Sequence, residues 1–196
     1  LVDRVIPMLP EKLSNVVCSL RADEDKLCFS AVFEMDDNGT IFKQWFGKTI
    51  IRSDKRFTYD EAQKVIDAPD NQDIPFVKEI QCLKKIASKL KAKRILEGSI
   101  TFDSEEVKFR LDENKKPIGV YTKTMKDSNY LVEDFMLLAN RSVAAYIGKQ
   151  HGKKIPFVYR AHDPPPQENL RAFSQFIKKF GYKINTSTHK TTANSI

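Results

Sequence analysis

An acidic turn between two apolar runs constrains the fold of this chain more than any other feature of its sequence. The turn is Asp36-Asp37-Asn38-Gly39, and the runs beside it span residues 26–35 and 40–51. Asn-Gly supplies the positive φ angles of a tight hairpin turn. The first run is too apolar for a strand with one solvent-facing side, and it is rich in strand-forming residues. The pattern predicts a long β-hairpin.

The rest of the chain changes between helical and strand periodicity. Apolar residues recur at helical spacing in segments 58–66, 76–97, 128–148 and 170–180. Residues 107–111 alternate as a strand, and 118–121 follow after a turn as another. These elements predict a mixed α/β (α+β) fold, with a mostly antiparallel sheet, a long hairpin and helices packed on them. No linker or internal repeat divides residues 1–196, so we expect one unit.

Composition limits the partners and the compartment. The chain has 196 residues, 41% of them hydrophobic, and 33 basic against 26 acidic residues give a net charge of +7. This excess favours polyanionic partners. No apolar run is long enough to cross a membrane. Three cysteines without a CxxC pair indicate reduced thiols, a cytoplasmic location and no zinc site.

Several common catalytic signatures are missing from the sequence. The glycines form no GxxxxGK phosphate loop, the three histidines lack HExxH spacing, and no GxSxG motif occurs. These observations argue against nucleotide hydrolases, metalloproteases of that type and α/β-hydrolases.

The segment 128–148 is apolar on nearly every side of a helix and is therefore expected to be buried. Two of its polar residues, Glu133 and Asn140, lie seven apart and therefore on one face, with Leu137 between them. Buried polar groups require partners. Either Glu133 caps or salt-bridges near the helix start while Asn140 bonds a neighbouring backbone, or the stripe lines a cavity for a polar ligand.

Aromatic residues lie near basic ones at two further places. Tyr59 follows Lys55 and Arg56, and Phe102 follows the lysine-rich helix. Single-stranded nucleic acid is bound by such combinations, since cations track phosphates while bases stack on aromatic rings. Most aromatic residues instead belong to the core, so both interpretations stay open.

A more specific signal comes from segments taken in chain order. They are Asp3-Arg4-Val5-Ile6-Pro7-Met8-Leu9-Pro10, Gly98-Ser99-Ile100-Thr101-Phe102-Asp103, Leu131-Val132-Glu133-Asp134-Phe135-Met136-Leu137-Leu138-Ala139-Asn140 and Tyr159-Arg160-Ala161-His162-Asp163. In these segments the chain resembles the RNB catalytic domain of the ribonuclease II and ribonuclease R family, bacterial ribonuclease R in particular.

The resemblance implies a processive, hydrolytic 3′→5′ exoribonuclease that degrades single-stranded RNA to nucleoside 5′-monophosphates, with magnesium as cofactor. Tyr59 matches an active-site tyrosine near the terminal nucleotides. Phe102 matches the aromatic residue that stacks on the last bases, and Glu133 the glutamate that contacts the 3′-terminal nucleotide. These three are the predicted substrate-binding residues.

Other parts of the family pattern are missing from the sequence. The metal-binding aspartates would precede Leu1, an arginine-rich catalytic segment would follow Ile196, and the flanking oligonucleotide-binding-fold domains are absent. We therefore expect an interior part of one RNB-type catalytic domain, truncated at both ends. It would contain no catalytic or metal-ligating residue, bind no magnesium tightly and be inactive alone.

Two other functions stay open. A non-catalytic relative of the same fold would bind RNA without the metal-binding aspartates. A basic α/β module would instead present its lysine-rich helix to an acidic protein.

Overall fold

The computed structural model describes residues 4–70, 74–100, 106–149, 156–160, 163–188, 191–192 and 195. Its strands are β1 (Asp25–Met35), β2 (Ile41–Arg52), β3 (Glu106–Leu111) and β4 (Pro117–Lys123). Its α-helices are α1 (Tyr59–Asp67), α2 (Val77–Leu96), α3 (Asp127–Gly148) and α4 (Gln167–Lys178), and a short π-helix spans Lys12–Val17.

The strands confirm the mixed α+β class and the antiparallel pairing. β1 pairs with β2, and β3 pairs with β4, both antiparallel. Among the described residues they form two separate two-stranded sheets rather than one. The predicted long hairpin is β1–β2, but of the Asn38-Gly39 pair only Gly39 has the positive φ that the sequence predicts for both residues. Asp36 accepts hydrogen bonds from the backbone N–H groups of Asn38 and Thr40 at 2.9 and 2.8 Å, and Gly39 has φ +77°.

The hydrophobic core lies where α1, α2 and α3 meet. Val65 and Ile66 of α1 pack with Ile80 of α2, and Leu131 of α3 packs against this cluster. All three members of the cluster are buried. Because both α1 and α3 contribute to one core, the start of α3 is fixed relative to α1.

The β1–β2 hairpin contacts the helices near its turn and along β2. Lys85 of α2 pairs with Asp37 in the turn at 2.6 Å. The ring centroids of Phe46 on β2 and Tyr146 on α3 lie 5.0 Å apart. These contacts place the turn beside α2 and the middle of β2 beside the end of α3.

Much apolar surface is exposed, and the expectation of a buried α3 is wrong for part of that helix. Val132 and Met136 are 47% and 52% exposed, whereas the buried positions of α3 are Ser128, Asn129 and Asp134. The accessible surface is 16034 Å², against about 9,500 Å² for a compact monomer of this mass. On α3 itself, the described helices α1 and α2 pack on one side and leave Val132 and Met136 uncovered. No described helix combines the length and apolar character that crossing a bilayer requires.

Candidate nucleic-acid interface

Tyr59 is the first residue of α1, and the turn before it keeps its ring at the surface. The Thr58 hydroxyl accepts a hydrogen bond from the Glu61 backbone N–H at 3.2 Å, and the Glu61 carboxylate accepts one from the Thr58 backbone N–H at 2.7 Å. This is the predicted capping box, which satisfies two backbone donors. Tyr59 is 48% exposed, so its side chain can be reached by a ligand that stacks on it.

Two polar contacts join the start of α1 to the start of α3. Lys126 Nζ lies 2.7 Å from Asp60 Oδ1. This hydrogen bond is the main cause that holds the pKa of Asp60 below its ordinary value. Gln63 Oε1 accepts a hydrogen bond from the Ser128 backbone N–H at 3.0 Å. Since Asp60 directly follows Tyr59, these contacts place the tyrosine close to the first turn of α3.

Glu133 is partly exposed on α3. Within the described part of the chain its carboxylate has no hydrogen-bond or ion-pair partner. The capping position that we considered for Glu133 is taken by Asn129, whose Oδ1 accepts a hydrogen bond from the Lys126 backbone N–H at 3.0 Å. An ionised carboxylate in this state can accept hydrogen bonds from a ligand.

The next residue, Asp134, has the opposite environment. Its side chain is 3% exposed and its carboxylate contacts Arg94 Nη2 of α2. Burial raises the pKa of Asp134 above its ordinary value, and the Arg94 guanidinium opposes that rise. One of two adjacent carboxylates is thus held in the interior, while the other is left for solvent or a ligand.

The Arg94–Asp134 pair was not predicted from the sequence. The two residues are 40 positions apart, and no local spacing rule joins residues at that separation. The available signal was weaker: Asp134 is an acidic residue inside an otherwise apolar helix, and such a residue requires a cationic partner when buried.

Further polar contacts join α2 to α3 on both sides of this pair. They are Lys84 Nζ to Asp127 Oδ2 at 3.0 Å, Lys91 Nζ to the Tyr130 ring centroid at 3.8 Å, and Arg141 Nη2 to Glu97 Oε2 at 3.2 Å. The partners advance in the same direction along both helices, so α2 and α3 run parallel. Much of the basic surface predicted for α2 is therefore used within this chain, which weakens the acidic-protein alternative.

A cavity of about 510 Å³ lies between the hairpin turn and the C-terminal halves of α2 and α3. The residues of α3 that line it are Asp134, Leu137, Leu138, Arg141, Ser142 and Ala145. Among the described lining residues, neither Glu133 nor Asn140 occurs. Of the three residues in the predicted stripe, Glu133, Leu137 and Asn140, only the apolar Leu137 lines this cavity.

Phe102 lies outside the described residues, so its stacking role stays a prediction. In the described ranges no group of three or more His, Cys, Asp or Glu side chains lies close enough to hold a metal ion. Cys18, Cys28 and Cys82 are free thiols.

Comparison with known proteins gives matches over the whole chain. The RNB domain family model matches residues 1–196. The human exosome complex exonuclease RRP44 is 39% identical over 198 aligned residues, which cover 100% of this chain and 20% of RRP44. Ribonuclease R 1 of Lactococcus lactis is 33% identical over 95% of this chain and 23% of its own length. The chain thus spans about a fifth of these relatives.

Two solved structures of Mycoplasma genitalium RNase R have the same fold. The apo form gives a TM-score of 0.85 at 23% identity and covers 98% of this chain and 30% of that one. The complex with ribose methylated single-stranded RNA gives a TM-score of 0.84, also at 23% identity, over 97% of this chain and 30% of that one. At this identity the likeness shows the fold alone.

Proposed function

The chain belongs to the RNB domain family, and from this membership we propose that it supplies RNA-contacting residues to a processive, hydrolytic 3′→5′ exoribonuclease. The natural protein would degrade single-stranded RNA and release nucleoside 5′-monophosphates. Support comes from relatives named as an exosome exonuclease and as ribonuclease R. The single-stranded RNA held by the RNase R structure and the net charge of +7 agree with this substrate.

The same proposal makes these residues one part of a larger catalytic domain, because the chain spans only 20% of RRP44 and 23% of ribonuclease R 1. Flanking oligonucleotide-binding-fold domains and a cytoplasmic location belong to it. Magnesium would activate water and stabilise the leaving oxygen. Residues other than the described ones would hold that ion.

The contrast between Glu133 and Asp134 is the observation that carries the site. Asp134 is buried against Arg94, whereas Glu133 is partly exposed and has no partner among the described side chains. Glu133 would accept hydrogen bonds from the ribose hydroxyls of the 3′-terminal nucleotide, since hydroxyls donate and carboxylates accept. The exposed ring of Tyr59 would stack on a base near that end, and Phe102 on another.

The test measures degradation of 5′-labelled single-stranded RNA by the natural protein that carries this chain. We expect Glu133→Gln to lower kcat/KM by about tenfold or more, since it removes a charged hydrogen-bond acceptor without changing the side-chain size. Glu113→Gln is the matched control, because Glu113 is exposed in the turn between β3 and β4. We expect this control to match the wild type.

The products decide between the alternatives. Mononucleotides released from the 3′ end would support the proposed reaction. RNA that is bound but never shortened would identify a non-catalytic relative, and absence of RNA binding would refute the proposal. The 196-residue chain assayed alone is expected to release no mononucleotides with magnesium present.

A further inference from the structure

The adjacent acids Glu133 and Asp134 project in directions about 100° apart around α3. A rotation of α3 by this angle in one direction would bring Asp134 to where Glu133 now lies and would turn Glu133 away from that position. The function of Glu133 therefore depends on what fixes the rotation of this helix about its own axis.

Apolar burial does not fix that rotation strongly. α3 carries apolar residues around most of its circumference, including Leu131 in the core and Val132 and Met136 at the surface. A helix that is apolar on all sides gains similar burial in several orientations. Directional polar contacts must therefore select one orientation, and of the ion pairs described between α2 and α3 the Arg94–Asp134 pair is the most buried.

The Arg94–Asp134 pair has the required direction. Asp134 is 3% exposed and the Arg94 side chain 20% exposed, so the contact is largely buried at its Asp134 end. A rotation in that direction would move the Asp134 carboxylate away from Arg94 and leave the guanidinium without its anion. The buried Nε of Arg94 has no hydrogen-bond partner among the described residues, so the contact through Nη2 is what pairs this partly buried guanidinium with an anion. An uncompensated buried charge is strongly unfavourable.

We propose that Arg94, acting through Asp134, is a positioning residue that sets the rotation of α3 and so presents Glu133 to the RNA end. This inference rests on the RNA-contacting role proposed for Glu133. It assigns Arg94 no contact with RNA. The pair holds the Asp134 carboxylate against α2, so that the Glu133 carboxylate stays available to a ligand.

The test is a double-variant cycle on the natural protein, with kcat and KM measured on single-stranded RNA. Glu133→Gln is made in the wild-type background and again with Arg94→Met/Asp134→Leu, which replaces the pair by apolar side chains that can stay buried. If the pair positions Glu133, Glu133→Gln lowers kcat/KM about tenfold or more in the wild type and much less in the second background. The charge swap Arg94→Asp/Asp134→Arg should recover part of the coupling.

Arg141→Gln is the matched control, because it breaks the exposed pair between Arg141 on α3 and Glu97, the residue that follows α2. We expect the full effect of Glu133→Gln in that background. Equal effects of Glu133→Gln in all backgrounds would overturn the positioning role while leaving the proposed RNA contact intact. A silent Glu133→Gln in a wild-type protein that degrades RNA would overturn both the contact and the inference. A wild-type protein that neither binds nor degrades RNA would refute the proposed function itself.

Discussion

At the residue scale, the candidate site depends on which polar groups already have partners. Asp134 is paired with Arg94, Asp60 with Lys126, and Glu61 with the backbone of Thr58. Glu133 lies among these groups without a partner in the described structure. A carboxylate that no internal donor satisfies can bind an incoming hydroxyl without first breaking another contact.

The capping carboxylate Glu61 gives the first prediction. Its pKa is lowered mainly by the hydrogen bond from the Thr58 backbone, so the folded state favours the ionised form. The stabilisation is present above the ordinary value of 4.5 and is lost as the pH falls through the lowered pKa. We therefore expect Glu61→Gln to lower the unfolding temperature at pH 7, and the difference from wild type to shrink near pH 3. A difference that stays constant between these pH values would contradict this account.

Residue-level prediction from sequence succeeded where the partners are close in the chain. The capping box of Thr58 and Glu61 follows a spacing of three, and the structure contains it. The Arg94–Asp134 pair does not follow from any local pattern, because tertiary packing brings its members together. The exposed position of Tyr59 at the start of α1 was predictable, because it follows from the local capping box. That Glu133 has no partner among the described side chains was not predictable, because it depends on tertiary packing.

At the element scale, the β1–β2 hairpin turns its two faces to different surroundings along its length. Leu27 and Phe29 are 85% and 71% exposed at one end. From Asp25 to Phe29 the exposed residues of β1 are the odd-numbered ones, whereas beyond Ser30 the exposed residues are the even-numbered Val32 and Glu34. The pairing with β2 is regular up to Glu34, so strand twist rather than a bulge brings the other face inward. The sequence predicted that β1 is too apolar for a strand with one solvent-facing side. Because the strand twists, each of its faces is turned inward over part of its length, which explains why both faces carry apolar residues.

Gly39 in the hairpin turn gives the second prediction. Its φ of +77° is costly for other residues, and a Cβ there would lie 3.1 Å from Leu90 Cδ2 on α2. Gly39→Ala should therefore destabilise the protein by roughly 1–2 kcal/mol. Urea denaturation measures this change. Gly119→Ala is the control, since a Cβ at Gly119 would meet nothing within 4 Å, and equal midpoints for the two variants would argue against the strained turn.

The extent of α3 was predictable from its periodicity, but its environment was not. The segment 128–148 corresponds to α3 at Asp127–Gly148. A pattern of apolar residues shows that a helix needs cover on several sides, but it does not show which residues supply the cover. In the described structure α1 and α2 cover one side, and Val132 and Met136 remain exposed.

At the scale of the whole molecule, the surface is too large and too apolar for a compact unit. The accessible area of 16034 Å² includes largely exposed Leu27, Phe42 and Phe176. Exposed apolar faces of this extent are typical of surfaces that contact another polypeptide segment. The fold class could be predicted from the sequence, because it depends on local periodicity. The segments that cover these exposed apolar faces could not be predicted, because that depends on contacts that the periodic pattern does not encode.

This surface gives the third prediction. We expect the 196-residue chain, purified alone, to bind the dye ANS more strongly per mole than the natural protein that carries it. The reason is that ANS fluoresces on exposed apolar surface, and the remaining polypeptide would cover part of that surface. Equal fluorescence from the two proteins would show that these faces stay uncovered.

The most direct measurement of the central claim is photocrosslinking of the natural protein to single-stranded RNA that carries 4-thiouridine at its 3′-terminal nucleotides. Mass spectrometry then identifies the attached peptides. Our account predicts crosslinks to the peptide that contains Tyr59 and to the first turns of α3 around Glu133, and their loss with RNA that is labelled only far from the 3′ end. Crosslinks confined to other segments, such as α4 or the β3–β4 hairpin, would contradict the assignment of these residues to the RNA end.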